Sequence, residues 1–246
     1  SHCFEHRVSV SVVWFKRDLR ISDNPALLEA INSGSDSVIC ISVLEPDRLK
    51  RMDVDGIHIQ WELDCLKELR SSLESIGGRL LFNYGKVVDF LSQLHKSHNI
   101  TQVYSNEETG LQWSWERDKQ VVQWCTNHEV GFTEFPTNGV VRGLKSRDDW
   151  KKQRDARITS DCLDTPVQMI APEGLESSEI PSVSEFGIEQ RDLIKRPIPG
   201  EKAAMNELFS FLDERGRTYR KDMSSPITGW NACSRLSPYI SVGCLS

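Results

Sequence analysis

Few features of the sequence point toward a membrane or a secreted protein. No apolar run in its 246 residues approaches the roughly 20 residues that are needed to cross a bilayer. The first ten residues, SHCFEHRVSV, lack the apolar core of a secretory signal and contain no initiator Met. We therefore expect no membrane partner, and we expect the chain to be a fragment of a longer protein.

The cysteines form no C-x-x-C pair, which argues against a zinc site or a redox motif. An odd, widely spaced set is typical of reduced thiols inside the cell. We expect an intracellular protein without a metal, although cytoplasm, nucleus and plastid remain open. The seven residues are Cys3, Cys40, Cys65, Cys125, Cys162, Cys233 and Cys244.

Phosphate-binding fingerprints are also missing. Neither G-x-G-x-x-G nor a Walker sequence occurs, which disfavours a dinucleotide or nucleotide triphosphate site of those kinds. The net charge of −6 argues against a chain that tracks nucleic-acid phosphates along its whole length. A local basic face stays compatible with this composition.

The first half of the chain contains five short apolar runs that alternate with helical patterns. Dense apolar runs are typical of parallel strands whose two faces are both covered. The order predicts an α/β fold, with a doubly wound, five-stranded, mostly parallel, Rossmann-like sheet over residues 8–135. The predicted strands are 8–15, 37–44, 79–84, 101–105 and 131–135.

The helical patterns carry clear boundaries. Asp23 or Asn24 followed by Pro25 predicts the start of the first helix. Asp18 and Arg20, just before it, are expected to pair or cap locally. A longer amphipathic helix is indicated by apolar residues at steps of three and four: Ile59, Leu63, Leu66, Leu69, Leu73 and Ile76.

After residue 135 the pattern changes. Residues 136–199 predict a connector, with a polar surface helix at 146–158 and a stretch rich in Pro, Ser and Glu. Residues 200–246 predict the beginning of a helical domain, whose first helix runs from about Glu201 to Gly216. Its core-facing residues are expected to be Met205, Leu208, Phe209 and Leu212.

Two separated segments resemble the DNA photolyase/cryptochrome superfamily. VVWFKRDLRISDNPALLEA resembles the amino-terminal signature W-F-x-x-D-L-R-x-x-D-N-x-A-L. SRLSPYISVGCLS resembles the flavin-binding turn T-S-x-L-S-P-Y-L-x-x-G-x-L-S. The resemblance implies an α/β antenna domain followed by an all-α FAD-binding domain that begins late in this chain.

The resemblance also implies cofactor-binding residues. Tyr219 aligns with a tyrosine that opens the FAD site, and Ser234, Arg235, Leu236 and Ser237 align with the stretch that wraps the FAD phosphates. Hydroxyls and backbone N–H groups at a helix start, beside an Arg, suit an anion. Cys233 stands where the family often has Thr, so one phosphate contact is expected to be weaker or to come from the backbone.

An antenna chromophore is a second implied cofactor. Asn106, Glu107 and Glu108, with residues 116–118 beyond them, resemble the pterin-binding region, but a solvated charged face explains the same residues. A reduced folate, a deazaflavin, another flavin or no antenna all remain open. Four tryptophans are interpreted as packing residues: Trp61, Trp113, Trp115 and Trp124.

The function that the resemblance implies is blue-light repair of cyclobutane pyrimidine dimers by electron transfer from reduced FAD. The partner would be UV-damaged DNA, and the protein a monomer whose catalytic residues lie outside this chain. A cryptochrome photoreceptor without repair activity is the alternative, and a bare α/β domain without flavin is a third. Residues 1–246 alone are expected to bind FAD poorly and to repair nothing.

Overall fold

A five-stranded sheet is the centre of the amino-terminal half. The computed structural model describes residues 8–51, 54–110, 112–137, 149–191 and 195–246. The strand order is β3-β2-β1-β4-β5, and every neighbouring pair is parallel. The predicted Rossmann-like sheet is therefore confirmed. The strands are β1 (Ser9–Phe15), β2 (Ser37–Leu44), β3 (Leu80–Tyr84), β4 (Asn99–Asn106) and β5 (Gly131–Phe135).

Helices follow each of the first four strands and form most of the structured carboxyl-terminal part. Short 3₁₀ turns occur at Val183–Phe186 and Arg215–Thr218. None of the helices in the described ranges combines the length and apolar character of a membrane span. They are α1 (Pro25–Asn32), α2 (Pro46–Leu49), α3 (Gly56–Ser75), α4 (Val87–Ser97), α5 (Gln112–Asn127), α6 (Trp150–Ile158), α7 (Glu201–Asp213), α8 (Tyr219–Asp222), α9 (Gly229–Ala232) and α10 (Ser237–Ser241).

The chain divides into two compact units. The first comprises the described residues of Ser1–Lys16, Ile21–Met52 and Ser72–Glu179, and it holds the sheet. The second comprises those of Arg17–Arg20, Asp53–Ser71 and Ile180–Ser246. The domain boundaries at 135 and 199 stay predictions. Residues 1–7, with Cys3, and the predicted helix start at 146–148 lie outside the described residues.

The core of the first unit lies against the sheet. β1 and β2 are buried along almost their whole length, as their dense apolar sequences predict. Their side chains pack with residues from α4, β4 and α5 in one cluster, whose members include Val12, Trp14, Ile39, Ile41, Leu91, Val103, Val121 and Trp124.

The start of α1 is fixed by side chains. Asn24 Oδ1 accepts hydrogen bonds from the Leu27 N–H at 3.1 Å and from Asn106 Nδ2 at 2.8 Å. Capping by Asn24 is therefore confirmed, and the same amide ties α1 to the end of β4. Asp23 accepts a hydrogen bond from the Leu163 N–H at 2.8 Å and so holds the segment that follows α6.

The irregular segment before residue 180 is anchored to the first unit. The Met169 N–H donates to Ile76 O at 2.8 Å, and Ile170 O accepts from the Val38 N–H at 2.8 Å. The Met169 side chain is buried, and a Cβ added to Gly78 would lie 2.4 Å from its Sδ atom. Composition predicts a connector here, and these contacts give it one fixed path.

Two expectations for the second unit differ from the structure, one for the apolar stripe of α7 and one for Arg20. Helix α7 ends at Asp213, and of its predicted core-facing residues Phe209 is 54% exposed and Leu212 63% exposed. The core-facing interpretation is therefore wrong for these two within the described residues. Arg20 does more than pair locally, because its Nη1 donates to Gly243 O at 3.0 Å.

Candidate functional site

The carboxyl ends of three strands meet at one edge of the sheet. Trp14 lies near the end of β1 and Lys16 directly follows that strand, while Asn106 ends β4 and Glu134 lies in β5. This edge includes the point where the strand order reverses, because β1 lies between β2 and β4. Open α/β sheets bind ligands in the crevice at such a point.

A buried ionic network fills this edge. Arg117 Nη2, on α5, donates to Glu108 Oε2 at 2.6 Å and to Asp118 Oδ1 at 2.8 Å. Lys16 Nζ lies 3.4 Å from Asp118 Oδ2 and 3.0 Å from Glu134 Oε2. Three carboxylates, those of Glu108, Asp118 and Glu134, therefore contact two cations in the part of the chain that the structure describes.

Two tryptophans line the same network. Lys16 Nζ lies 4.7 Å from the ring centroid of Trp14, and the Arg117 guanidinium lies 4.8 Å from Trp14 and 5.1 Å from Trp113. Burial alone would lower the pKa of Arg117, but the nearby charges of Glu108 and Asp118 raise it above its ordinary value. Arg117 therefore stays charged although it is only 9% exposed.

The interpretation of these residues as a solvated face is wrong for Glu108, Arg117 and Asp118, which are buried. It holds for Glu116, which is exposed. The sequence did contain a usable signal. Arg117 lies four and eight residues before Val121 and Cys125, both buried, so helical periodicity places it on the core-facing side of α5.

The tryptophans on the helices also differ from one another in burial. Trp124 is buried and stacks on His128 with ring centroids 4.3 Å apart, as the packing interpretation predicts. Trp113 is partly buried beside Arg117. Trp115 is 51% exposed, so the packing interpretation is wrong for it.

The predicted FAD-phosphate residues lie together in the second unit. Ser234, Arg235 and Leu236 join α9 to α10, and Ser237 is the first residue of α10. Arg235 has a φ of 59°, a left-handed conformation that costs a non-glycine residue about 1 kcal/mol. Strain of this kind is concentrated at functional sites.

The turn is held by contacts within the chain. Arg235 Nη2 donates to Trp230 O at 2.8 Å, and its guanidinium lies 4.8 Å from the Trp230 ring centroid. Cys233 Sγ contacts the same carbonyl oxygen at 3.3 Å, so the residue that replaces Thr is hydrogen-bonded within its own turn. Arg215, which sequence reasoning missed, donates to Cys233 O and to Glu207 Oε2.

Tyr219, the fifth predicted residue, is at the start of α8. Its ring meets Phe211 edge-on with centroids 5.9 Å apart, and it lines an open cavity of about 490 Å³. Arg217, Arg220 and Lys221 line the same cavity. Helix α8 packs against α9, which leads into the Ser234–Ser237 turn. The assignment of all five residues to FAD stays a prediction.

The backbone at this turn is a weaker anion site than the sequence suggests. Helix α10 has only five residues, and Pro238 in its first turn supplies no N–H. An anion bound here would therefore depend on Arg235 and the hydroxyls of Ser234 and Ser237. Within the described ranges, no group of three or more His, Cys, Asp or Glu side chains is placed to hold a metal ion.

Comparison with known proteins assigns the family. The DNA photolyase family model matches residues 11–145, which is more than half of the chain. The chain belongs to the DNA photolyase family. Its resemblance to the photolyase/cryptochrome superfamily is thereby confirmed, and its sheet belongs to the α/β domain of that family.

Relatives come from both branches of the superfamily. Cryptochrome-1 of Spalax judaei is 27% identical over 96% of this chain and 44% of its own length. A class III photolyase from Agrobacterium tumefaciens is 25% identical and superposes with a TM-score of 0.80 over 100% of this chain and 53% of its own. An archaeal photolyase from Sulfolobus tokodaii, solved with two FAD molecules, is 20% identical with a TM-score of 0.69, covering 96% of this chain and 53% of its own. The chain thus spans about half the length of these relatives.

Proposed function

We propose that this protein is a light-dependent DNA photolyase that uses reduced FAD to repair cyclobutane pyrimidine dimers. The observation that carries the proposal is the photolyase family match over residues 11–145, in a chain that also contains the Ser234–Ser237 turn. The likeness to a bacterial class III photolyase, which extends over the whole chain, supports it. Family membership alone is compatible with repair and with photoreception.

In this proposal the residues of the turn hold the FAD phosphates. The hydroxyls of Ser234 and Ser237 donate to phosphate oxygens, and Arg235 supplies positive charge. Tyr219 contacts another part of the same cofactor from α8. When bound, FAD would supply the light-excited electron donor for repair. The basic cavity beside Tyr219 is compatible with an anionic ligand, since three cationic side chains line it.

We further propose a reduced folate as antenna rather than a flavin or a deazaflavin. The charged edge around Asn106 and Glu108 contains three carboxylates, those of Glu108, Asp118 and Glu134. Carboxylates accept hydrogen bonds from the N–H groups of a pterin ring, which supports this choice. Because the archaeal relative was solved with two FAD molecules, a second flavin is the alternative antenna to test.

The proposed partner is UV-damaged DNA, bound by a monomer inside the cell. A damaged dimer is extruded from the duplex at a lower cost than an intact base pair, which favours its selection. The free thiols of the six cysteines in the described ranges fit a reducing compartment.

A repair assay tests the proposal. The protein as its gene encodes it is mixed with an oligonucleotide that carries one thymine dimer, and is then illuminated with blue light or kept dark. We expect loss of the dimer in the light only. Flavin-containing protein that leaves the dimer intact in both conditions would contradict repair. That outcome would favour the cryptochrome alternative, which the likeness to cryptochrome-1 of Spalax judaei supports.

A further inference from the structure

Two histidines that the proposed light reaction does not use lie together where two helices of the first unit end. His95 is in the last turn of α4, and His128 directly follows α5, which packs against α4. Their ring centroids are 5.7 Å apart, and the angle between the ring planes is 84°. Trp124 lies beside both rings, with centroid distances of 5.7 Å to His95 and 4.3 Å to His128. Three rings from two helices therefore form one cluster.

Each of these histidines has a ring nitrogen that could bind a ligand. His128 Nδ1 lies 2.8 Å from Trp124 O, and because a carbonyl oxygen only accepts, Nδ1 carries the proton of this hydrogen bond. In the neutral ring, His128 Nε2 therefore holds a lone pair. His95 Nδ1 is buried and has no hydrogen-bond partner in the part of the chain that the structure describes. A histidine that donates from one ring nitrogen to a backbone carbonyl is typical of metal ligands that bind through the other.

The spacing of the rings and the local electrostatics suit a dication. Two imidazoles that bind one tetrahedral ion through nitrogens at about 2.0 Å have ring centroids about 5 Å apart, which is close to the distance in this pair. Both histidines lie at the carboxyl ends of their helices, so the negative ends of two helix dipoles lie beside them. Trp124 Nε1 donates to Ser92 Oγ at 2.7 Å, and this bond holds α5 against α4 without the histidines.

We propose that His95 and His128 bind one divalent transition-metal ion of the class that prefers imidazole ligands, which includes Ni²⁺, Cu²⁺ and Zn²⁺. Both rings bind as neutral imidazoles, and water completes the coordination shell, since His128 is exposed. The bound ion joins the end of α4 to the end of α5 and so stabilises the folded first unit. The expectation of a protein without a metal rests on sequence spacing, which does not reveal ligands from two different helices.

Calorimetric titration with Ni²⁺ tests the site. Ni²⁺ is a suitable probe because, unlike Cu²⁺, it does not oxidise exposed thiols such as that of Cys162. The protein as its gene encodes it is purified without a histidine tag, freed of metal with EDTA, dialysed and titrated with nickel chloride. We expect saturable binding of about one ion per chain. We also expect excess Ni²⁺ to raise the thermal midpoint by about 3 °C and EDTA to reverse that rise.

Three variants identify the ligands. His95→Gln and His128→Gln should each weaken Ni²⁺ binding by about tenfold or more and abolish the midpoint rise, because one of two protein ligands is lost. His58→Gln is the matched control, since His58 is an exposed histidine on α3 in the second unit, and it should leave binding unchanged. Because His128 is at the surface, His128→Gln carries the test if His95→Gln does not fold. If the unsubstituted protein binds no Ni²⁺, or if His128→Gln binds it as tightly as His58→Gln does, the proposal is wrong.

Discussion

Replacing Gly243 with alanine is expected to detach the carboxyl-terminal segment from the rest of the second unit. Gly243 has a φ of +72°, and a Cβ there would lie 2.0 Å from Arg17 O and 2.6 Å from the Asp18 Cα atom. Backbone atoms at that distance cannot give way as a flexible side chain does. Two hydrogen bonds would be lost with the contact, from the Leu19 N–H to Val242 O and from Arg20 Nη1 to Gly243 O.

The expected loss in the free energy of unfolding is about 3 kcal/mol or more, from left-handed strain and two hydrogen bonds worth about 1 kcal/mol each. Urea unfolding measures the total. Hydrogen exchange at the Leu19 amide gives a local readout, since its carbonyl partner moves away in the variant. We expect protection of that amide to fall by at least tenfold.

Gly187→Ala is the matched control. Gly187 also has a positive φ, of +75°, and belongs to the same unit, but nothing lies within 4 Å of its added Cβ. Its replacement should cost about 1 kcal/mol of strain alone and leave Leu19 protected. Equal losses for the two variants would contradict the close approach of Gly243 to Arg17.

Replacing Arg117 with methionine is expected to destabilise the first unit strongly. The change removes the cation that the buried carboxylates of Glu108 and Asp118 share, while Asp118 keeps its contact with Lys16. Breaking a buried ion pair on one side costs about 3–5 kcal/mol, because a buried charge loses a partner without gaining water. Urea unfolding at neutral pH measures the loss. Adding Glu108→Gln to the variant should recover part of it, because one of the two carboxylates that lost this cation is removed.

Arg154→Met tests whether burial causes this effect. Arg154 pairs with the following residue, Asp155, at 2.6 Å and lies 4.7 Å from the Trp150 ring, a similar set of contacts at the surface. Its side chain and that of Asp155 are 34% and 48% exposed, so its loss should cost less than about 1 kcal/mol. If Arg117→Met and Arg154→Met have equal effects, the network at the sheet edge is not buried as described.

Local sequence was sufficient for the sheet. Each predicted strand is found, with ends shifted by two residues or fewer, because dense apolar runs are distinctive in a chain of this composition. The start of α1 could also be predicted from the sequence, since an Asn directly before Pro25 is a recognisable helix cap. Patterns of this kind involve neighbours in sequence, and a single chain displays them directly.

The candidate sites depend on distant pairs. Lys16 meets Asp118 only because β1 and the start of α5 meet at the same sheet edge, and a charge in a helix gives no sign of such a partner. Arg215 donates a hydrogen bond to Cys233 O in a turn. Because apolar residues do not recur regularly in that turn, the sequence gives no signal for this contact. For the apolar stripe of α7, the sequence shows a pattern but not its burial. Periodicity identifies the apolar face of a helix, but it does not show whether other residues cover that face.

The absorption spectrum of the purified protein, as its gene encodes it, shows whether the protein holds FAD. We expect flavin bands in the near-ultraviolet and the blue, with about one FAD released per chain on unfolding. Arg235→Ala should lower the retained FAD by tenfold or more, whereas Arg154→Ala, which removes an Arg in the first unit, should leave it unchanged. A folded protein with no flavin before or after incubation with FAD, or equal retention by both variants, would contradict the assignment of the Ser234–Ser237 turn to FAD.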